Sequence, residues 1–113
     1  MVARYIPERG DLVWLSFDPQ AGHEQAGRRP ALVLSPAAYN GKTGLALVVP
    51  VTSRAKGYPF EVALPDGLPV SGVILADHVR NVDWQARRAE CLGKVKADQL
   101  IQTVEMIKTI VEG

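Results

Sequence analysis

Three short segments without periodicity hold most of the side chains in this 113-residue chain that could do chemistry. Gly22-His23-Glu24-Gln25-Ala26-Gly27-Arg28-Arg29-Pro30 crowds an imidazole, a carboxylate, an amide and two guanidiniums into one polar loop. Pro50-Val51-Thr52-Ser53-Arg54-Ala55-Lys56-Gly57-Tyr58-Pro59 sets two hydroxyls directly after an apolar run. Lys56 then adds charge, and Tyr58 offers a face on which a base could stack. Asp77-His78-Val79-Arg80-Asn81 follows another apolar run and places an imidazole between a carboxylate and a guanidinium. Cleavage of RNA by its own 2′-hydroxyl asks for this set: a proton acceptor, cations for the charge on the phosphorane, and a donor for the departing 5′-oxygen. Arg29 is the better phosphate clamp, because Pro30 and the strand behind it hold it, whereas Arg28 is freer to swing. Each segment also has a plain structural reading: a solvated loop, a hydroxyl-capped turn, a hydrogen-bonded histidine. The residues taken singly leave both readings open.

Other chemistries find little footing. The chain has no phosphate-cradling glycine loop, no nucleophile elbow and no pair of histidines spaced for zinc. Two histidines and the single Cys91 make a poor zinc set, and one cysteine excludes an internal disulfide. No apolar run approaches the roughly 20 residues that span a bilayer, and the first residues lack the apolar stretch of a secretory signal. The expected compartment is the cytoplasm. A formal net charge of +1 hides an uneven distribution. Between residues 23 and 56, Arg28, Arg29, Lys42, Arg54 and Lys56 stand against Glu24 alone, a net of +4. Between 80 and 96, Arg80, Arg87, Arg88, Lys94 and Lys96 stand against Asp83 and Glu90, a net of +3. If the two stretches share a face, they form a local field for phosphates.

The elements that must hold these segments are short. Runs 12–17, 30–35, 45–51, 60–64 and 72–76 read as strands bounded by glycine, proline and aspartate. The first is apolar on both alternating faces, which predicts a central place or a partner contact. Pro50 predicts that the third strand ends near an edge. Residues 37–43 read as one helical turn stopped by Asn40-Gly41, and 78–95 as short strands or turns. Trp14 and Trp84 read as core or interface residues. Leu100, Ile101, Val104, Ile107, Ile110 and Val111 follow the spacing of an amphipathic helix, with Asp98 suiting its N-terminal dipole. Hydrophobic residues at 47% can build one core, and a chain this short would gain from burying more surface in a dimer. The expectation is one domain over 1–113, mainly β with a C-terminal helix, as a small, strongly bent antiparallel sheet or barrel.

In this order, the segments resemble the MazF/PemK family of toxins, the mRNA interferases of bacterial toxin–antitoxin modules. The resemblance is densest in Gly10-Asp11-Leu12-Val13-Trp14-Leu15-Ser16-Phe17-Asp18-Pro19 and in the loop from Gly22 to Pro30. It continues through Val33-Leu34-Ser35-Pro36, Pro50-Val51-Thr52-Ser53, Lys56-Gly57-Tyr58-Pro59-Phe60-Glu61-Val62 and Leu75-Ala76-Asp77-His78-Val79. It implies an SH3-like barrel working as a homodimer. It further implies metal-independent cleavage of single-stranded RNA, with no cofactor, to 2′,3′-cyclic phosphate and 5′-hydroxyl ends. The antitoxin partner would carry an acidic, extended tail that fills the RNA groove. Carried over by position, the catalytic residues fall on Arg29, Thr52 and Glu24. Arg29 would stabilise the charged transition state, Thr52 and Ser53 would bond the scissile phosphate, and Glu24 would orient the 2′-hydroxyl or Arg29. His23, Gln25, Arg28, Lys56, Tyr58, Asp77, His78 and Arg80 are the remaining candidate RNA contacts, His23 being the better base if it points inward. The PemK-type branch carries an arginine two positions before its aspartate, where this chain has Leu75. That departure disfavours an Arg–Asp mechanism and favours the Arg29–Thr52 arrangement. Two other classes compete: a gyrase-poisoning toxin of the same fold, which cuts nothing, and an SH3-like peptide-binding module. The first depends on a tryptophan near the C-terminus, which this chain lacks, and the second wants more aromatic residues than 6%.

Overall fold

The computed structural model describes residues 5–18, 22–23 and 27–113. Their elements, in chain order, are β1 (Asp11–Ser16), β2 (Arg28–Val33), α1 (Ala37–Thr43), β3 (Leu45–Thr52), β4 (Glu61–Ala63), β5 (Val73–Leu75), β6 (Arg80–Asp83), β7 (Glu90–Lys94) and α2 (Ala97–Glu112). Neighbouring strands pair antiparallel in the order β4-β5-β3-β2-β1-β7, with β6 added to β3. The expected antiparallel sheet with a C-terminal helix is present, and the ambiguous stretch 78–95 supplies β6 and β7. No β4–β7 ladder closes the sheet among the described residues.

β1 is central, between β2 and β7, as its two apolar faces require. Because successive side chains point to opposite faces, Val13, Leu15 and Phe17 enter one core and Leu12 the other. Trp84 lies in the first core with its indole Nε1–H donating to the Asn40 carbonyl at 2.9 Å, while Trp14 is only half-buried.

Pro50 is not at an edge. It is buried opposite Ala31, in a strand that pairs on both sides. The reason is a handover: β6 registers with β3 from Leu45 to Val48, and β5 takes over at Val51 and Thr52. Pro50 falls in the gap between those partners, where a missing N–H costs least. Nor does Asn40 stop α1. Its amide nitrogen donates to the carbonyls of Pro7 and Ser35 at 2.7 and 2.9 Å, and its oxygen accepts from the Ser35 hydroxyl at 2.6 Å. Asn40 is thus a buried clamp inside the helix, which instead ends at Gly44 in a left-handed conformation, φ 74°.

α2 buries only part of the stripe its apolar spacing predicts. Leu100, Met106 and Ile107 pack on the second core and Thr103 is fully buried, whereas Ile101 and Val111 are 60% and 78% exposed and Ile110 is exposed too. Thr103 tolerates burial because its hydroxyl donates back to the Gln99 carbonyl at 2.7 Å. At the far end of the sheet, Asp11 ties the N-terminal segment to β7. Its carboxylate accepts from the Tyr5 hydroxyl at 2.6 Å and the Glu8 N–H at 3.0 Å, and meets Lys94 Nζ at 2.8 Å. Burial pushes this carboxyl up, but Lys94, Tyr5 and the Glu8 N–H together hold it below its ordinary range.

Candidate active site

β2 and β3 run antiparallel with Leu32 opposite Val49 and Ala31 opposite Pro50. Arg29 lies in β2, two residues before this ladder begins, and Thr52 is the last residue of β3, two residues beyond its end. On its other side Thr52 is opposite Val73 in β5, directly after Gly72. Gly72 has φ +120°, and a Cβ there would stand 2.1 Å from the Thr52 carbonyl oxygen. Only glycine lets the two backbones approach this closely.

Arg29 and Thr52 line one cleft of about 680 Å³. His23 enters it from the loop after β1, Ser53, Lys56 and Tyr58 from the loop between β3 and β4, and His78 from the segment after β5. A smaller cavity of about 280 Å³ adjoins it, sharing His23 and His78 and adding Asp77 and Arg80 against Phe17, Pro50 and Val79. His78 Nε2 lies 3.8 Å from the Asp77 carboxylate. The three segments singled out in the sequence therefore converge on one groove. Glu24 and Gln25 lie outside the described residues.

Within the groove the backbone is tightly tied. The Thr52 hydroxyl accepts from the Arg54 N–H at 3.2 Å. The Glu61 carboxylate accepts from the N–H groups of Lys56 and Gly57 at 3.0 Å each. Lys56 Nζ sits 5.9 Å from the Tyr58 ring centroid, a cation–π contact on a ring that is 61% exposed. Guanidinium, ammonium and imidazole groups beside two hydroxyls make a site that attracts an anion and can donate several hydrogen bonds to it. Among the described residues no group of three or more His, Cys, Asp or Glu is placed to hold a metal ion.

Arg28 does not enter the groove. It alternates with Arg29 along β2, and its guanidinium donates to the carbonyls of Arg87 and Arg88 at 3.2 and 2.7 Å and to Glu90 at 2.9 Å. Far from swinging freely, it is held. Arg80 borders the smaller cavity while donating to the Phe17 carbonyl at 3.3 Å and lying 5.6 Å from the Phe17 ring. Leu75, where the PemK-type branch carries its arginine, also lines the main cleft, as do Arg54 and Glu61, which sequence reasoning passed over as site residues. Arg54 had a signal, since it directly follows the two hydroxyls. Glu61 had none, because alternation placed it in a half-buried strand with no hint of what its carboxylate holds.

The same fold occurs in known proteins. Residues 8–111 match the family model described as PemK-like, MazF-like toxin of type II toxin–antitoxin system. The chain is 55% identical over 100 residues, 88% of its length and 89% of the relative's, to the endoribonuclease toxin MazF of Escherichia coli K12. It is 40% identical over 107 residues, 91% of its length and 80% of the relative's, to the endoribonuclease PemK of Escherichia coli. The crystal structure of MazF from Deinococcus radiodurans superposes with a TM-score of 0.95 at 62% identity, covering 97% of this chain and all of that one. A MazE–MazF structure from the same organism superposes at 0.88 and 62% identity, covering 96% and 98% of the two chains. Among the described residues no helix is long and apolar enough to cross a membrane. Matched by the family model over residues 8–111 and superposing on a relative over nearly its whole length, this chain belongs to the PemK-like, MazF-like family of type II toxin–antitoxin toxins.

Proposed function

We propose that this chain is a sequence-specific endoribonuclease toxin that cuts single-stranded RNA in the groove between β2, β3 and the loops around them. The observation that carries the reading is that Arg29 and Thr52, from the neighbouring strands β2 and β3, line one cationic cleft. In the reaction the 2′-oxygen attacks the adjacent phosphorus, the 2′-proton passes to a base, and the 5′-oxygen departs with a proton. A 2′,3′-cyclic phosphate and a 5′-hydroxyl remain. Arg29 stabilises the charge that grows on the phosphorane, and Thr52 and Ser53 donate to its oxygens. Arginine is a poor proton carrier, so its contribution is electrostatic. His23 or Glu24 takes the 2′-proton, and no metal ion takes part. Lys56 and Arg54 hold flanking phosphates, Tyr58 stacks a base, and Gln25, Asp77, His78 and Arg80 meet bases in the adjoining cavity.

The toxin works in the cytoplasm, where its mRNA substrate is, and as a homodimer. Tyr39, Leu47 and Val79 support the dimer, because they leave apolar surface exposed around α1, β3 and the entry to β6. Relatives from Deinococcus radiodurans have been solved as MazE–MazF complexes, which supports a cognate antitoxin. Its acidic tail occupies the groove in place of RNA. The gyrase-poisoning alternative gains no support, since the relatives compared are named endoribonucleases.

Incubation of the purified protein with a long unstructured RNA in EDTA, followed by mapping of the new ends, tests the reading. Discrete cuts after one short sequence, with cyclic-phosphate ends that vanish in Arg29→Ala, are expected. No cleavage by a folded protein would overturn it.

A further inference from the structure

We infer that Glu61 is a positioning residue of the groove, whose carboxylate holds the turn at residues 56–58 so that Lys56 and Tyr58 are presented to RNA. The inference rests on the ribonuclease reading for its consequence, though not for its geometry. Glu61 opens β4, where alternation sends Val62 into the core and leaves Glu61 on the groove side. Both of its oxygens are occupied: Oε1 accepts from the N–H groups of Lys56 at 3.2 Å and Gly57 at 3.0 Å, and Oε2 accepts from Lys56 at 3.0 Å. Gly57 has φ +75°, a left-handed backbone at the point where two successive N–H groups converge on one anion. The Glu61 N–H in turn donates to the Tyr58 carbonyl at 3.2 Å, so the same residue ties both ends of the turn.

The effect is on shape rather than on charge. A carboxylate among Arg29, Arg54 and Lys56 opposes the binding of a phosphate, so its presence in an RNA groove calls for another role. With the amides tied, Lys56 and the exposed Tyr58 ring stand ready beside Thr52, and RNA does not have to order them on binding. Glu61 touches no reacting atom in this scheme. A different role would follow if the amide pair at Lys56 and Gly57 were instead a phosphate seat that Glu61 blocks, and the two predict opposite responses.

The test uses the full chain with Glu61→Gln, Glu61→Ala, Lys56→Ala and the double variant. Amide hydrogen exchange reads the tie directly. Lys56 and Gly57 should exchange about tenfold faster in Glu61→Ala at an unchanged melting temperature, and near the wild-type rate in Glu61→Gln, whose amide oxygen still accepts. With an RNA substrate, Glu61→Ala should raise KM about tenfold and move kcat less than about threefold, with Glu61→Gln restoring most of the loss. Lys56→Ala should cost about tenfold in the wild-type background but under about twofold in Glu61→Ala, because the lysine is no longer held in place. Unchanged exchange in Glu61→Ala, additive losses, tighter RNA binding by Glu61→Ala, or a Glu61→Gln pH profile missing one limb would each overturn the assignment. A wild-type protein that cuts no RNA would sink the ribonuclease reading instead, and the exchange rates would still decide whether the tie exists.

Discussion

The two basic stretches of this chain look alike in composition and are used in different ways. The stretch from residue 23 to 56 sends Arg29, Arg54 and Lys56 into the groove. The stretch from 80 to 96 instead commits Arg80 and Arg87 to carbonyls of the protein's own backbone. Arg87 donates to the carbonyls of Ser16 and Asp18 at 3.1 and 2.8 Å, and Lys94 pairs with Asp11. Arg80 caps the Phe17 carbonyl, and Arg28, although it belongs to the first stretch, is tied to carbonyls of the second. These guanidiniums gather the end of β1 and the start of β2. The Asp18 side chain adds to the same closure by accepting from the Gly27 N–H at 2.9 Å. A summed charge therefore overstates the field offered to RNA, since a cation bonded to carbonyls inside the fold serves shape before it serves binding.

This contrast can be broken in several ways. The largest effect belongs to the groove: Arg29→Ala and Thr52→Ala should each lower single-turnover RNA cleavage by about a thousandfold with the fold intact, as loss of a transition-state donor does. Near-normal cleavage in both would remove the groove as the active site. Gly72→Ala comes next. Its Cβ cannot fit 2.1 Å from the Thr52 carbonyl, so β5 and Thr52 must separate, lowering both cleavage and melting temperature. A fully active Gly72→Ala would mean that the position of Thr52 is immaterial.

Arg87→Ala should destabilise the fold by roughly 1–3 kcal/mol, the usual cost of losing charge-assisted bonds to carbonyls, and should leave the salt dependence of RNA binding nearly unaltered. Lys56→Ala should do the reverse, with an unchanged melting temperature and a log–log salt slope shallower by about one. Equal salt slopes for the two variants would erase the distinction between the stretches. The smallest effect is that of pH on the Asp11 anchor. Its carboxyl is held below the ordinary 3.8, so its stabilisation is complete above the unfolded value and is lost as pH falls through the lowered folded one. Asp11→Asn should flatten that acid limb in thermal melts, and an unaltered limb would show that another carboxylate governs it.

Much of this was legible in the residues themselves. The alternation in β1 revealed a strand buried on both faces. Hydroxyls directly after an apolar strand marked Thr52 and Ser53. What misled were local signals overruled by partners distant in sequence. Asn40 reads as a stop because asparagine favours turns, yet the carbonyls of Pro7 and Ser35 make it a buried clamp. Pro50 reads as an edge because it lacks a donor, yet the strand beside it changes partners at that residue. Ile101 and Ile110 read as core by their apolarity, yet the side of α2 that meets the sheet centres on Thr103.

By itself the sequence determined which chemistry is available: cations, hydroxyls and imidazoles in loops flanking short strands, with the pattern of one toxin family along nearly the whole chain. Side-chain type and order carry that information, because strand period, turn residues and ionic character are properties of short stretches. The tertiary structure alone decided which cations face the groove and which bond to the backbone, and that Glu61 is the anion held by the Lys56 and Gly57 amides. It also decided that Gly72 must lie against Thr52. The physical reason is that strand register and hydrogen-bond partnership join residues tens of positions apart, and the residues between them do not encode which partner each will find.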